Sequence, residues 1–66
     1  MEGWQERILR ERDELRERVK KLNAFAVADN AAFSVLPLAE RALLVRQLHH
    51  MSQYYAVLEA RIARWS

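Results

Sequence analysis

One stretch of the chain, RQLHHMSQYYAVLEARI, concentrates the side chains that could do chemistry: two adjacent histidines and two adjacent tyrosines. Neighbouring residues of a helix point about 100° apart, so His49 and His50 cannot hold one metal ion together. Helices that bind metals space their histidines by three or four residues. The chain has no other histidine and no cysteine, so the sequence predicts no metal site.

The tyrosine pair, Tyr54 and Tyr55, divides between two faces of the same predicted helix. Glu40, Gln47, Tyr54 and Arg61 recur at intervals of seven residues and form one edge beside an apolar seam, to which Tyr55 belongs. In one interpretation this edge flanks an oligomer interface, where charged residues select register and partner. In the other it lines a groove between subunits, where Arg61 meets an anion, Tyr54 stacks on a base and Gln47 forms hydrogen bonds. Both interpretations stay open at this point.

Enzyme chemistry finds little support in the chain. No Ser–His–acid set has a plausible placement, and no paired carboxylates lie on a rigid cleft. The single glycine is Gly3, which excludes a glycine-rich phosphate loop. We therefore predict a non-enzymatic protein with no catalytic residues, no cofactor and no metal.

Length and composition predict one helical domain over residues 1–66. Hydrophobic residues make up 52% and charged residues 30%, with one glycine and one proline, a balance that suits a folded helical protein. A chain this short is marginal alone, and without cysteine it has no disulfides to stabilise it. We expect a cytoplasmic protein, in the host cell if a phage encodes it, because no secretory signal and no membrane-spanning stretch are visible.

The charges do not form the basic face that nucleic-acid binders present. The net charge is +2, and residues 2–21 carry seven Lys/Arg and six Asp/Glu, so the two signs alternate along the first predicted helix. Proteins that bind nucleic acid concentrate positive charge on one face. Nucleic acid is therefore not the expected partner.

The first predicted helix spans about residues 4–28 and carries a heptad-like apolar seam. The seam residues are Ile8, Leu15, Val19, Leu22 and Ala26. Arg12 interrupts the seam, and a lone polar residue there either fixes the register or points into a pocket between subunits. Asp29 and Asn30 are expected to end this helix, because both favour helix ends.

A connection over about residues 29–36 leads to a second helix over about 37–64, with Pro37 in its first turn. We expect Phe33, Val35 and Leu36 to close the end of the hairpin. The second helix has the most regular pattern of the chain, with apolar residues alternating by four and three. They are Leu44, Leu48, Met51, Tyr55, Leu58, Ile62 and Trp65.

A short connection between two long helices predicts an antiparallel hairpin. The second helix also carries apolar residues outside its seam, including Leu43, Val45 and Val57, and such a helix is normally buried on more than one side. We therefore predict that the hairpin assembles into a homo-oligomeric helical bundle, at least a dimer. Trp4 and Trp65 are expected to meet at one end of the bundle, as caps of the core or as a paired aromatic platform.

An ordered set of short elements resembles a family of small phage and prophage proteins that are related to a protein of crAss-like phages. The elements are ERDELRERVKKLNAF, Phe33, Leu36, Glu40, LLVRQ, Met51, Tyr54, Leu58 and RI. The resemblance covers about residues 11–62 and departs at the Ala-rich VADNAAFSVLPLAE. Small oligomeric phage proteins of similar design act as sponges that trap nucleotide second messengers between subunits. This analogy raises the groove interpretation to nearly equal standing with the interface-flank interpretation.

The leading hypothesis is therefore a phage-type oligomeric binding protein that sequesters a small nucleotide immune signal and blunts host defence. Arg61 and Arg41 would neutralise phosphate, Tyr54 would stack on a base, and Gln47 and His50 would read polar edges. The alternative is a helical protein-interaction module that binds a host or phage protein through its spare apolar face.

Overall fold

Two long antiparallel helices, joined by a connection that contains one short helix, make up the fold. A computed structural model of the chain describes residues 3–27 and 29–65. Helix α1 spans Trp4–Phe25, α2 spans Ala31–Ser34 and α3 spans Leu38–Trp65. Helices α1 and α3 pack against each other. The predicted all-helical hairpin is confirmed.

The hairpin is long and narrow, with extents of 46 × 18 × 15 Å. Its radius of gyration is 14.8 Å, whereas a compact domain of the same length would have one of about 11 Å. The accessible surface is 5143 Å², against about 4,400 Å² for an average monomer of this mass. The chain therefore leaves more of its surface in water than a typical folded protein of its size.

Helix α1 ends at Phe25, three residues before the predicted end at residue 28, which lies outside the described residues. Ala26 leaves the helical conformation (ψ 49°) while its N–H still bonds to the carbonyl of Leu22 at 2.8 Å. The N–H of Val27 then bonds to the carbonyl of Phe25 at 2.9 Å, in a tight turn. Local backbone bonds thus turn the chain before it reaches Asp29.

The predicted connection over residues 29–36 contains helix α2, which the sequence pattern did not indicate. Asn30 begins this helix instead of ending α1, because its Oδ1 accepts the N–H of Phe33 at 3.0 Å as an N-terminal cap. Phe33 is buried and meets Phe25 edge to face at 5.7 Å, so it closes the hairpin as expected. Val35 does not, since 80% of it is exposed. Pro37 directly precedes α3, and its carbonyl accepts the N–H of Arg41.

The core lies along the predicted seams. Ile8, Leu15 and Leu58 are buried, and Leu58 has no exposed surface. The residues that pack around them also come from the seams: Val19, Met51, Tyr55, Ile62 and Trp65. The heptad spacing therefore identified the inner face of both helices.

Arg12, the polar interruption of the α1 seam, reaches across the hairpin to α3. Its Nη1 donates to Oε1 of Glu59 at 2.8 Å, and its Nε donates to Oδ1 of Asp13 at 2.7 Å. The hydrogen bond from Arg12 lowers the pKa of Glu59 below its ordinary value. Only 20% of the Arg12 side chain is exposed, so its guanidinium loses much of its hydration, and the hydrogen bonds to Glu59 and Asp13 replace that hydration. The pairing with Glu59 also favours one register of α1 against α3.

Candidate ligand-binding face of the second long helix

A second row of side chains runs along α3 beside the buried seam, and we call it the outer strip. Its spacing of four and three residues places all of its members on one face of the helix. Every one of them is exposed. The outer strip consists of Leu43, Gln47, His50, Tyr54, Val57, Arg61 and Arg64.

Tyr54, at the middle of the outer strip, is held by the neighbouring helix. Its hydroxyl donates a hydrogen bond to Oε1 of Glu11, and 45% of the residue remains exposed. The hydrogen bond to Glu11 raises the pKa of Tyr54, desolvation and the Glu11 charge raise it further, and the nearby Arg61 opposes them. The phenol ring is therefore positioned by α1 while part of its surface stays accessible to a partner.

Gln47 and His50 supply the polar edges of the outer strip. The Nε2 of Gln47 lies 3.8 Å from the Sδ of Met51, a weak contact that holds the amide at the border of the seam. The His50 ring meets the His49 ring at 5.8 Å and an angle of 60°. Both side chains are exposed, so each has hydrogen-bonding capacity left for a ligand or a second subunit.

Arg41 lies apart from the other four predicted ligand residues. A helical advance of 100° per residue places it about 140° around α3 from Tyr54, on the opposite flank. It also precedes Arg61 by twenty residues, which corresponds to about 30 Å along the axis. Its Nε is buried and lacks a hydrogen-bond partner among the described residues. On one chain, Gln47, His50, Tyr54 and Arg61 share a face, and Arg41 does not.

The described part of the chain contains neither the geometry of a metal site nor a membrane-spanning helix. Within it, no three His, Asp or Glu side chains lie close enough together to hold a metal ion. No helix there is both long and apolar enough to cross a bilayer.

Several residues of this face escaped the sequence interpretation. Glu11 was missed because it comes from the other helix, forty-three positions away, and no local pattern relates it to Tyr54. Val57 and Leu43 were noted as spare apolar residues, but not as members of the same row as Tyr54. The signal that identifies the row is a second four-three repeat, displaced by one residue from the stronger seam.

Comparison with protein families gives one result for nearly the whole chain. The model of the family described as Sequestin matches residues 2–64, so the chain belongs to the Sequestin family. The name of the family denotes sequestration, which is a binding role. Comparisons with curated proteins and with solved structures find no match. The relation to crAss-like phage proteins stays a prediction.

Proposed function

We propose that this member of the Sequestin family is a phage-encoded sponge that assembles from identical hairpins and sequesters a small anionic nucleotide signal of host immunity. Copies meet along the outer strip, and the ligand lies in the groove between them. The observation that carries the proposal is the composition of the outer strip, which combines an accessible phenol, an amide, an imidazole and two guanidiniums with the apolar Leu43 and Val57 on one exposed face.

The surface area supports assembly. The chain exposes about 750 Å² more than an average monomer of its mass, and each partner of a standard interface buries about 800 Å². Leu43 and Val57 are 55% and 54% exposed, although both are aliphatic and lie about three turns before and about one turn after Tyr54. Burying them against a second copy removes this apolar surface from water.

The polar members of the outer strip support a nucleotide as the ligand. Arginine forks match the geometry of phosphate, and an aromatic face supports a base by stacking. Glu11 holds the hydroxyl of Tyr54 and so restricts the ring before any ligand arrives. Arg41 lies on the opposite flank of α3 in every copy, so a groove between two outer strips does not include it.

Two measurements on the same samples test the proposal. Sedimentation should find an oligomer at micromolar concentration, and calorimetry should find a nucleotide that binds within a panel of cyclic and linear forms. Val57→Asp should give monomers that do not bind the nucleotide. Val45→Asp, on the opposite flank, should retain both the oligomer and the binding. Tyr54→Ala should weaken binding at least about fivefold, the effect of losing one stacked base. A monomeric wild type, or no binding to any panel member at millimolar concentration, contradicts the proposal.

A protein-interaction module is the second candidate, and the opposite flank of α3 favours it. Leu38 and Val45 are 74% and 50% exposed there, and assembly along the outer strip leaves them uncovered. In this case a host or phage protein binds that flank and changes the state of the oligomer. A purified stoichiometric partner that Val45→Asp releases and Val57→Asp retains supports this candidate over the sponge.

A further inference from the structure

The open end of the hairpin, where α1 begins and α3 ends, carries the two tryptophans of the chain. The rings of Trp4 and Trp65 meet edge to face, with centroids 5.2 Å apart and an angle of 81°. In this arrangement the edge of one ring covers part of the face of the other. Trp65 packs against the core, while Trp4 is 54% exposed.

A cavity of about 290 Å³ adjoins this pair, and its walls are Trp4, Trp65, Arg61 and Arg64. Ligand sites in proteins begin at about 300 Å³, so the volume suits one ring system with one charged group. The walls hold two aromatic side chains and two cations, and no carboxylate of the described residues lines them.

The two arginines of the cavity have their charges available. Within residues 3–27 and 29–65, neither guanidinium forms an ion pair with a carboxylate, whereas Arg12 and Arg16 on α1 both do. Both arginines lie on the outer strip, where four-three spacing brings Arg64 one turn beyond Arg61. Two guanidiniums beside an accessible indole form a charged and aromatic wall, which favours an anion that also carries a flat ring.

We infer that this cavity is a binding site for a planar aromatic anion the size of a single nucleotide. The ring lies against the indoles of Trp4 and Trp65, and Arg61 and Arg64 hold the phosphate. The site belongs to one chain and does not need a second copy, so it is distinct from the groove centred on Tyr54. Arg61 and Arg64 also belong to the outer strip, so the two sites share both arginines, whereas only this cavity has the two tryptophans.

Intrinsic tryptophan fluorescence reports this site directly, because both tryptophans form its walls. The full chain is titrated with AMP, with adenosine and with inorganic phosphate. We expect AMP to quench the fluorescence saturably. Adenosine and inorganic phosphate should each need at least about tenfold higher concentrations, because adenosine lacks the phosphate and inorganic phosphate lacks the ring. Arg64→Gln should weaken AMP about tenfold, the effect of one charge-assisted hydrogen bond. Arg46→Gln, an exposed arginine elsewhere on α3, should not change it.

The outcomes separate this site from the groove. Retained quenching in Tyr54→Ala, together with the about tenfold weakening in Arg64→Gln, supports the assignment whether or not the groove binds its own ligand. Non-saturable quenching by AMP overturns it. Equal weakening by Arg64→Gln and Arg46→Gln also overturns it, because binding then follows net charge and not the cavity.

Discussion

The two ends of the hairpin carry the same aromatic arrangement in different surroundings. At the loop end Phe25 and Phe33 meet at 5.7 Å and 82°, and at the open end Trp4 and Trp65 meet at 5.2 Å and 81°. Phe33 is 6% exposed, whereas Trp4 is 54% exposed. Ring geometry is therefore nearly identical, whereas the exposed fraction is ninefold larger for Trp4 than for Phe33.

The difference follows from what each pair is attached to. The loop end is covalently closed, and α2 carries Phe33 into the interior with its N–H bound to Asn30. The open end has no connection between the helices, and its neighbours Arg61 and Arg64 are cations. The phenylalanine pair, which the connection encloses, stabilises the fold through its burial. The tryptophan pair keeps exposed ring surface beside two cations.

The largest expected effect comes from substituting the buried ring at the loop end. Phe33→Ala should lower the free energy of unfolding by about 3 kcal/mol or more, because it removes a buried ring and leaves a cavity. Trp4→Ala should cost less than half as much, since the ring is half exposed. Urea denaturation followed by helical circular dichroism measures both. If Phe33→Ala does not fold, Phe33→Leu should still cost more than Trp4→Ala, and the reverse order contradicts this account of the two ends.

A smaller effect is expected from the residue that holds Phe33 in place. Asn30→Ala removes the cap of α2 and should lower the free energy of unfolding by about 1 kcal/mol. Asn23→Ala, at an exposed position within α1, is the matched control and should change it by less than 0.5 kcal/mol, roughly the range of surface substitutions. Equal effects of the two substitutions, in the same denaturation experiment, contradict the role of the cap.

The smallest expected effect is a pH dependence at the Arg12–Glu59 pair, which lies nearer the open end. Because the pKa of Glu59 is lowered in the folded protein, its contribution to stability is present above the ordinary glutamate pKa of about 4.3 and is lost as pH falls through the lowered value. Glu59→Gln should therefore be less stable than wild type near neutral pH, with the gap closing in acid. Denaturation midpoints measured against pH check this, with Glu14→Gln as the control substitution at an exposed carboxylate of α1.

Much of the fold could be predicted because it depends on short-range spacing. The seam through Met51, Leu58 and Ile62 indicated the inner face of α3, and Pro37 indicated where that helix begins. Helix α2 could not be predicted in the same way, because four residues are too few to show a period. The role of Asn30 was also ambiguous, since asparagine favours both the end and the beginning of a helix.

The candidate sites were predictable only in part. Residue types and the interval of seven placed Gln47, Tyr54 and Arg61 on one edge, and the structure keeps them on one face. The antiparallel arrangement also predicted that Trp4 and Trp65 meet, as they do. Their edge-to-face contact, and the cavity that it forms with Arg64, depend on the axial offset of the two helices, which no local pattern encodes.

The sequence by itself determined which residues form helices and which face of each helix is apolar, because both follow from backbone propensity and a period of 3.6 residues. The tertiary structure decided which residues lie opposite one another: Arg12 with Glu59, Tyr54 with Glu11, and Trp4 with Trp65. These partners are forty-three or more positions apart. Their pairing depends on how far one helix is displaced along the other, and that displacement is set by the packing of both helices together.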